Sequence, residues 1–444
     1  MGVEHAVIFP SVWLYLQSFN VDYWYLGLVL SAYNAVAAAS AILIGRLADK
    51  NAVNFLILGL VLNLAEIAGN TIYSLNFHVS LPLVGRIVAA IGEGYIAAMY
   101  GALARATTED ERTRYFSVLK GAHNLGITFG PAFNFFLQDF NFHIDHWHID
   151  YRTSPGFFMA VTWALVAGIM YVLAYDLTDE KEIETGYEPV SGELCKQKKS
   201  TKKRQLREAY GIESSGDESD PATSFHAKAA DGSEKVVENE LGKESSEATL
   251  KNALVDIFLK FHVIVPWYSL FLASVLLASL RAIAPLVAEH TLNWSENSVT
   301  VLFTLWGVEI ITVIFVLWFL SPKISDRPVL LMSAIFGFLS SASVFLLAVF
   351  PDQAFSLILP IFFQGVSHAA IAVVGRSLVS KHTDSRNQAT IQAIVTASNR
   401  VSHAVGPLIG SGLFTHEKIL ASILTGSEIL GLALVILAFK KYKC

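Results

Sequence analysis

Along most of the chain, long apolar runs alternate with short polar joints. The pattern predicts twelve helices, at roughly 3–17, 24–44, 54–75, 81–103, 115–136, 156–175, 262–284, 298–320, 328–350, 355–378, 389–414 and 419–439. Most reach the roughly 17–25 residues that a helix needs to cross about 30 Å of hydrocarbon. The first, "VEHAVIFPSVWLYLQ", is short and has no preceding tail, so its first turns are expected to be missing from the sequence.

Lys and Arg in the joints set the orientation. With the N-terminus inside, the cytosolic side receives Arg46 and Lys50, then Arg105, Arg112 and Arg114, then Lys323 and Arg327, Lys381 and Arg386, and Lys440, Lys441 and Lys443. The opposite loops hold only Arg152 and Lys418; Arg281 fits less well, near the outer end of the seventh span. The sequon Asn293-Trp294-Ser295 falls in a non-cytosolic loop and is a glycosylation candidate.

Composition agrees. The chain is 53% hydrophobic and 16% charged, against about 25% charged in a soluble domain. Much of the charge collects between Asp176 and Lys251. That segment mixes "CKQKKSTKKR" with "ESSGDESD" and has few aromatics, the signature of a disordered cytosolic linker whose basic part can touch anionic lipid. The expected division is an N-terminal bundle over 1–176, a linker over 177–251, and a C-terminal bundle with a short basic tail over 252–444. The net charge of −6 reflects the linker and gives no reason for a nucleic-acid partner. Cys195 and Cys444 suggest neither a disulfide nor a zinc site, and no cofactor is expected. "MGVEH" lacks a basic signal-peptide region, and Ala6 breaks the myristoylation pattern.

The halves echo one another. Asp49 in "GRLADK" and Asp326 in "KISDRP" lie 277 residues apart. Gly130-Pro131 and Gly406-Pro407 lie 276 apart, as do Arg105 and Lys381, and Thr107 and Thr383. Parallel repeats of this kind are one plan for secondary transporters, with the site near midplane between them.

On these residues the chain resembles the major facilitator superfamily over essentially its whole length outside the linker. Gly45, Leu47, Ala48, Asp49 and Lys50 match the start of that family's signature between spans two and three. Ala52, Val53 and Asn54 stand where the family has Gly and basic residues, which leaves the partner of Asp49 unassigned. Arg86 with Gly92 and Gly94 resembles the signature of span four, and Gly126-x-x-x-Gly130-Pro131 that of span five. Asn134 replaces a Gly there, which weakens an antiporter reading. "EHAVIFPSVWLYLQSF" and "ATTEDERTRYFSVLKGAHNLGITFGPAF" resemble the lysosomal branch associated with ceroid lipofuscinosis. The resemblance implies an all-α polytopic membrane protein, twelve transmembrane helices in two pseudo-symmetric six-helix bundles, in a lysosomal or late endosomal membrane, with the plasma membrane as alternative. Tyr187-x-x-Val190 in the linker is a sorting candidate for an adaptor complex.

Charge in hydrocarbon costs about 2.5–3.5 kcal/mol on insertion scales, so each midplane charge needs a partner, a cavity or a function. Glu4 lies thirteen residues before Gln17 and Glu93 twelve residues into span four, hence about 20 and 18 Å below the outer surface. His123 is eight residues up span five. The resemblance puts spans one and four on the central cavity with five beside them, so Glu4, His5, Glu93 and His123 are expected to meet at one level. Arg86, seven residues before Glu93, can bind an anion or pair with a carboxylate. Glu309, His368 and Arg400 complete the expected pathway, with Asn399 and His403 near the last; Glu66 and Glu428 are read as peripheral. Gly45, Asp49, Lys50, Gly126, Gly130, Pro131, Asp326, Arg327, Gly406 and Pro407 are the expected conformational gate, the glycines for close helix approach and the prolines for bends.

No hydrolase, kinase or dehydrogenase constellation is present, so an enzyme is not expected. The expected function is proton-coupled, alternating-access transport of a small solute by a monomer in a lipid bilayer. The alternatives are a passive, chloride-like anion pathway and a non-transporting scaffold or receptor.

Overall fold

The computed structural model describes residues 1–49, 55–106, 109–179, 261–320, 324–382 and 388–439. The chain divides into two compact units, Met1–Met170 with Leu250–Cys444, and Tyr171–Thr249. Of the second unit, only the helical residues 171–179 are described. The expected sorting residues Tyr187 and Val190 and the gate residue Lys50 lie outside the described residues, as does the side chain of Asp49.

The N-terminal half begins with α1 (Gly2–Val7) and α2 (Val12–Gln17), followed by α3 (Tyr23–Asp49) and α4 (Phe55–Ser74). Next come α5 (Ser80–Gly92), α6 (Tyr95–Ala106), α7 (Glu109–Phe129) and α8 (Asn134–Leu137). A hairpin of β1 (Phe142–Ile144) and β2 (Trp147–Ile149) leads to α9 (Ser154–Asp179). The C-terminal half holds α10 (Phe261–His290), α11 (Glu296–Leu320), α12 (Asp326–Ser343), α13 (Phe345–Val349), α14 (Ala354–Lys381), α15 (Gln388–Gly412) and α16 (Glu417–Phe439).

Nine of the described segments are long and apolar enough to cross a membrane by length and composition. The other three expected spans are also helical. The first is short, α7 opens on the charged "EDERTR", and α15 carries Asn399, Arg400 and His403. The order is consistent with twelve spans.

Four segments expected as single helices are interrupted, the ninth of the twelve at Val344, between Ser343 and Phe345. The first breaks at residues 8–11, around Pro10, whose ring removes an N–H and crowds the preceding turn. The break frees the carbonyl of Val7, and Asn134 fills it, its Nδ2 donating at 2.6 Å. The fourth breaks after Gly92, where the carbonyl of Ile91 accepts from Gly94 N at 3.2 Å and from Ser40 Oγ at 2.6 Å. The fifth ends at Phe129 rather than bending, because Pro131 opens a 3-10 turn over Pro131–Phe133. Pro407, by contrast, sits inside a continuous α15.

Small residues set the closest helix crossings. Gly126 of α7, and Gly130 just beyond its end, lie against the backbone of α1 at Gly2 and Val3. The repeat reproduces this where Gly406 and Gly410 of α15 lie against Val275 and Ser279 of α10. Two further crossings join the halves: Gly27 of α3 against Pro407 and Ser411, and Gly307 of α11 against Thr128 of α7. Gly45 is different. A methyl there would make ordinary contact with Ala97 at 3.7 Å, so the close approach expected at "GRLADK" is made instead at Gly94, against Ser40 and Ile44.

The apolar core is asymmetric. At one end, a single cluster draws on both halves, from Trp13, Leu26 and Leu30 to Leu280, Phe303 and Phe414. Its cap is aromatic: Tyr23 lies 5.2 Å from both Trp13 and His290 and 4.8 Å from Phe414, ring centre to ring centre. The remaining clusters each belong to a single half. The hairpin sits at the capped end, where Trp147 Nε1 donates to the carbonyl of Ser74 at 2.9 Å.

Candidate functional site

The interrupted fourth span places Glu93 at the helix break, 2% exposed. Its Oε1 accepts from Arg400 Nη2 at 2.7 Å, and its Oε2 from Tyr33 Oη at 2.9 Å. Arg400 belongs to α15, so this ion pair joins the two halves. Arg86, about two turns earlier on α5, does not join it. Its guanidinium carbon lies 3.8 Å above the ring of Tyr33, and its Nε and Nη1 make no hydrogen bond.

Beside Tyr33 lies a small cavity of about 20 Å³, lined by residues that include His5, Phe9, Arg86, Arg281 and His403. The rings of His5 and His403, one from each half, are 6.3 Å apart. His123 lies within electrostatic reach of His5 and Glu93, and His368 of His403.

Glu4 does not share this level with Glu93 as a partner. It is fully buried inside the N-terminal half, where Oε1 accepts from Asn70 Nδ2 at 2.7 Å and Oε2 from Trp163 Nε1 at 2.9 Å. Glu66 neighbours it and is not peripheral; its carboxyl packs over Gly92, where a methyl would come within 2.6 Å of Cδ. Glu309 follows the same plan away from the cavity, packed over Gly365 of α14 with Oε1 buried. Glu428 packs over Gly337 of α12. Three carboxyls thus sit in slots that only glycine leaves open.

In the gate, Asp326 opens α12 and accepts from Lys381 Nζ at 2.7 Å and Ser377 Oγ at 3.3 Å. Arg327 follows it in the same turn. Asn293 is exposed in the turn after α10 with φ 51°, a left-handed conformation that Asn tolerates.

Sequence reasoning missed Tyr33, Asn70, Trp163 and the cavity position of Arg281. Arg281 carried a signal, an arginine inside an apolar helix. The structure extends that helix to His290, which puts Arg281 nine residues, about 14 Å, below its end rather than near it. The other three are ordinary residues of apolar helices and carried none.

The described residues form two helical halves with interrupted helices around a polar centre and a buried ion pair between them. A model of the Major Facilitator Superfamily matches residues 1–214 and 266–442, and the chain belongs to that family. A curated relative, the tetracycline resistance protein, class H, of Pasteurella multocida, is 27% identical over 160 residues. That match covers 35% of this chain and 36% of the relative, so the chain spans about a third of its length. Among solved structures, a bacterial homologue of the human lysosomal transporter Spinster in an inward-facing, unoccupied conformation superposes with a TM-score of 0.59 at 13% identity, over 99% of this chain and 92% of that one. A peptide transporter bound to alafosfalin gives 0.61 at 15%, over 98% and 90%. A D-xylose–proton symporter gives 0.61 at 16%, over 98% and 93%. At these identities the likeness is one of fold.

Proposed function

We propose that this protein is a proton-coupled secondary transporter of a small solute in an endolysosomal membrane. The observation that carries the reading is the ion pair between Glu93 and Arg400, because it links the N-terminal half to the C-terminal half at the break in span four. When the halves part, that pair must separate. Stranding one member of a buried pair costs about 3–5 kcal/mol. A proton on Glu93 removes the negative charge first, so protonation and parting of the halves are linked. Solute binding that favours one arrangement of the halves is thereby linked to the proton. The solved symporter and peptide-transporter structures of the same fold are the setting in which this reading is made.

The test is accumulation in proteoliposomes under an imposed pH gradient. Wild type accumulates its solute against concentration, and Glu93→Gln equilibrates it without accumulation. Equal accumulation by both removes Glu93 from the coupling. Patch-clamp of enlarged endolysosomes separates this from a passive anion pathway, which carries large, weakly saturating currents. A scaffold or receptor predicts that linker deletions matter and midplane substitutions do not.

The endolysosomal location rests on the resemblance of the first and fifth spans and on Tyr187-x-x-Val190. Tyr187→Ala should move a tagged protein to the plasma membrane. The division at 1–176, 177–251 and 252–444 goes with this reading, as does a monomeric state.

A further inference from the structure

Arg400 has a carboxylate partner. The other two arginines of the site do not share it. Arg86 comes from α5 in the N-terminal half and Arg281 from α10 in the C-terminal half, and both line the same cavity. Two histidines line it as well, and among the described residues no carboxylate does. Arg86 is 2% exposed with two guanidinium nitrogens unbonded. Each cation lies over aromatic rings: Arg86 over Tyr33 at 3.8 Å, Arg281 over Phe9 at 5.5 Å and Trp306 at 5.7 Å.

A guanidinium resting its face on a ring keeps its N–H donors, which lie in its plane, for another acceptor. Arg86 is buried and Arg281 half-buried; two cations facing one space repel, and the unfilled donors of Arg86, held away from water, are costly. An anion between them relieves both. We propose that Arg86 and Arg281 form the binding site for the carboxylate group of an anionic solute, gripped between the two halves. A carboxylate offers two oxygens on one planar edge, which matches the guanidinium fork. A spherical halide satisfies fewer of the fork's donors at once. The apolar lining from Ile8, Phe9 and Leu30 suits a carbon skeleton better than the further oxygens of phosphate. The space of about 20 Å³ holds one water-sized group, so the anion is admitted as the halves part. Once bound, it turns repulsion between the halves into attraction, which favours the closed arrangement.

This proposal rests on the transporter reading and is independent of the role of Glu93. The test uses the purified full-length chain in detergent, titrated with sodium acetate, benzoate, phosphate or chloride at constant ionic strength balanced with isethionate. Thermal unfolding is the readout, since a ligand that binds the folded state raises its midpoint saturably. Acetate and benzoate should stabilise the wild type at lower concentration than phosphate or chloride. Arg86→Lys and Arg281→Lys keep the charge and lose the fork, and each should weaken carboxylate binding about tenfold or more. Binding read by thermal unfolding does not depend on transport, so a failure of proton coupling leaves this result standing. The proposal is overturned if carboxylates give no saturable shift, if phosphate or chloride binds more tightly, or if both lysine variants bind as wild type. The wild-type anion series decides the matter even if a variant does not fold.

Discussion

Glu4 and Glu93 are both carboxylates in the middle of the N-terminal half, both essentially without solvent contact. They differ in who holds them. Glu4 is held by Asn70 and Trp163 of its own half, so its hydrogen bonds survive any rigid movement of one half against the other. Glu93 is held by Tyr33 of its own half and by Arg400 of the other. Only the second can sense whether the halves are together. Buried charge in a membrane protein therefore has two uses, to fasten one bundle internally and to couple two bundles, and depth in the membrane does not separate them.

The largest expected effect is at Glu93. Glu93→Gln should abolish solute accumulation under a pH gradient while the purified protein still folds, as judged by a monodisperse chromatography profile. Glu4→Ala should do the reverse. It leaves the donors of Asn70 and Trp163 unsatisfied, at about 1–3 kcal/mol for each stranded group, and should lower the unfolding midpoint while the protein that folds still couples. If Glu4→Gln uncouples transport as completely as Glu93→Gln, the contrast is broken and Glu4 carries the proton. Gly92→Ala sharpens the comparison, since its methyl meets the Glu66 carboxyl on one side of the break that holds Glu93. Overpacking of this kind costs about 1–3 kcal/mol, to be read by thermal unfolding.

Asp326→Asn removes the charge of the pair with Lys381, whose side chain is 63% exposed. An exposed pair contributes about 0–1 kcal/mol, so stability should barely move, while accessibility of single cysteines from the two sides of the membrane should redistribute. Unchanged accessibility makes the pair a helix-end decoration.

The smallest effect concerns Asp150, in the loop before α9. Burial pushes its carboxyl up, but the hydrogen bonds and charge of Arg152, with the backbone N–H of Arg152 and Thr153, hold it below the usual range. A depressed carboxylate contributes stability above its unfolded pKa of about 3.9, lost only as pH falls through the folded value. The loss caused by Asp150→Asn should therefore be the same at pH 7 and pH 5, as unfolding midpoints at the two values will show. A smaller loss at pH 5 would mean that the pair has already titrated.

Much of the packing at the expected gate positions was legible because it is local or repeated. The 276-residue offset located Gly130 and Gly406, and both proved to be close crossings with the first helix of their half. The same offset carries Arg105 onto Lys381, the partner of Asp326. Gly45 was less legible: it matches a family signature but packs loosely, because the crossing is made at Gly94. Arg86, Glu93 and Arg400 were recognisable as midplane charges, yet their pairing was not. Glu93 and Arg400 are 307 positions apart, and Arg86, on nearly the same helix face as Glu93, rests on Tyr33 instead.

By itself the sequence determined most of the helices, their order and the duplication, and it marked which helices carry charged residues. Hydrophobic run length and a rise of about 1.5 Å per residue are properties of one helix at a time. Only the tertiary structure decided which charges meet. Partnership depends on how each helix is rotated and where it breaks, and both are set by contacts with several other helices at once. Gly92 and Asn134 illustrate this, since each acts on a neighbouring helix that no local pattern names. That is why Arg281 moved from a helix end into the cavity, and why one carboxylate fastens a bundle while another joins two.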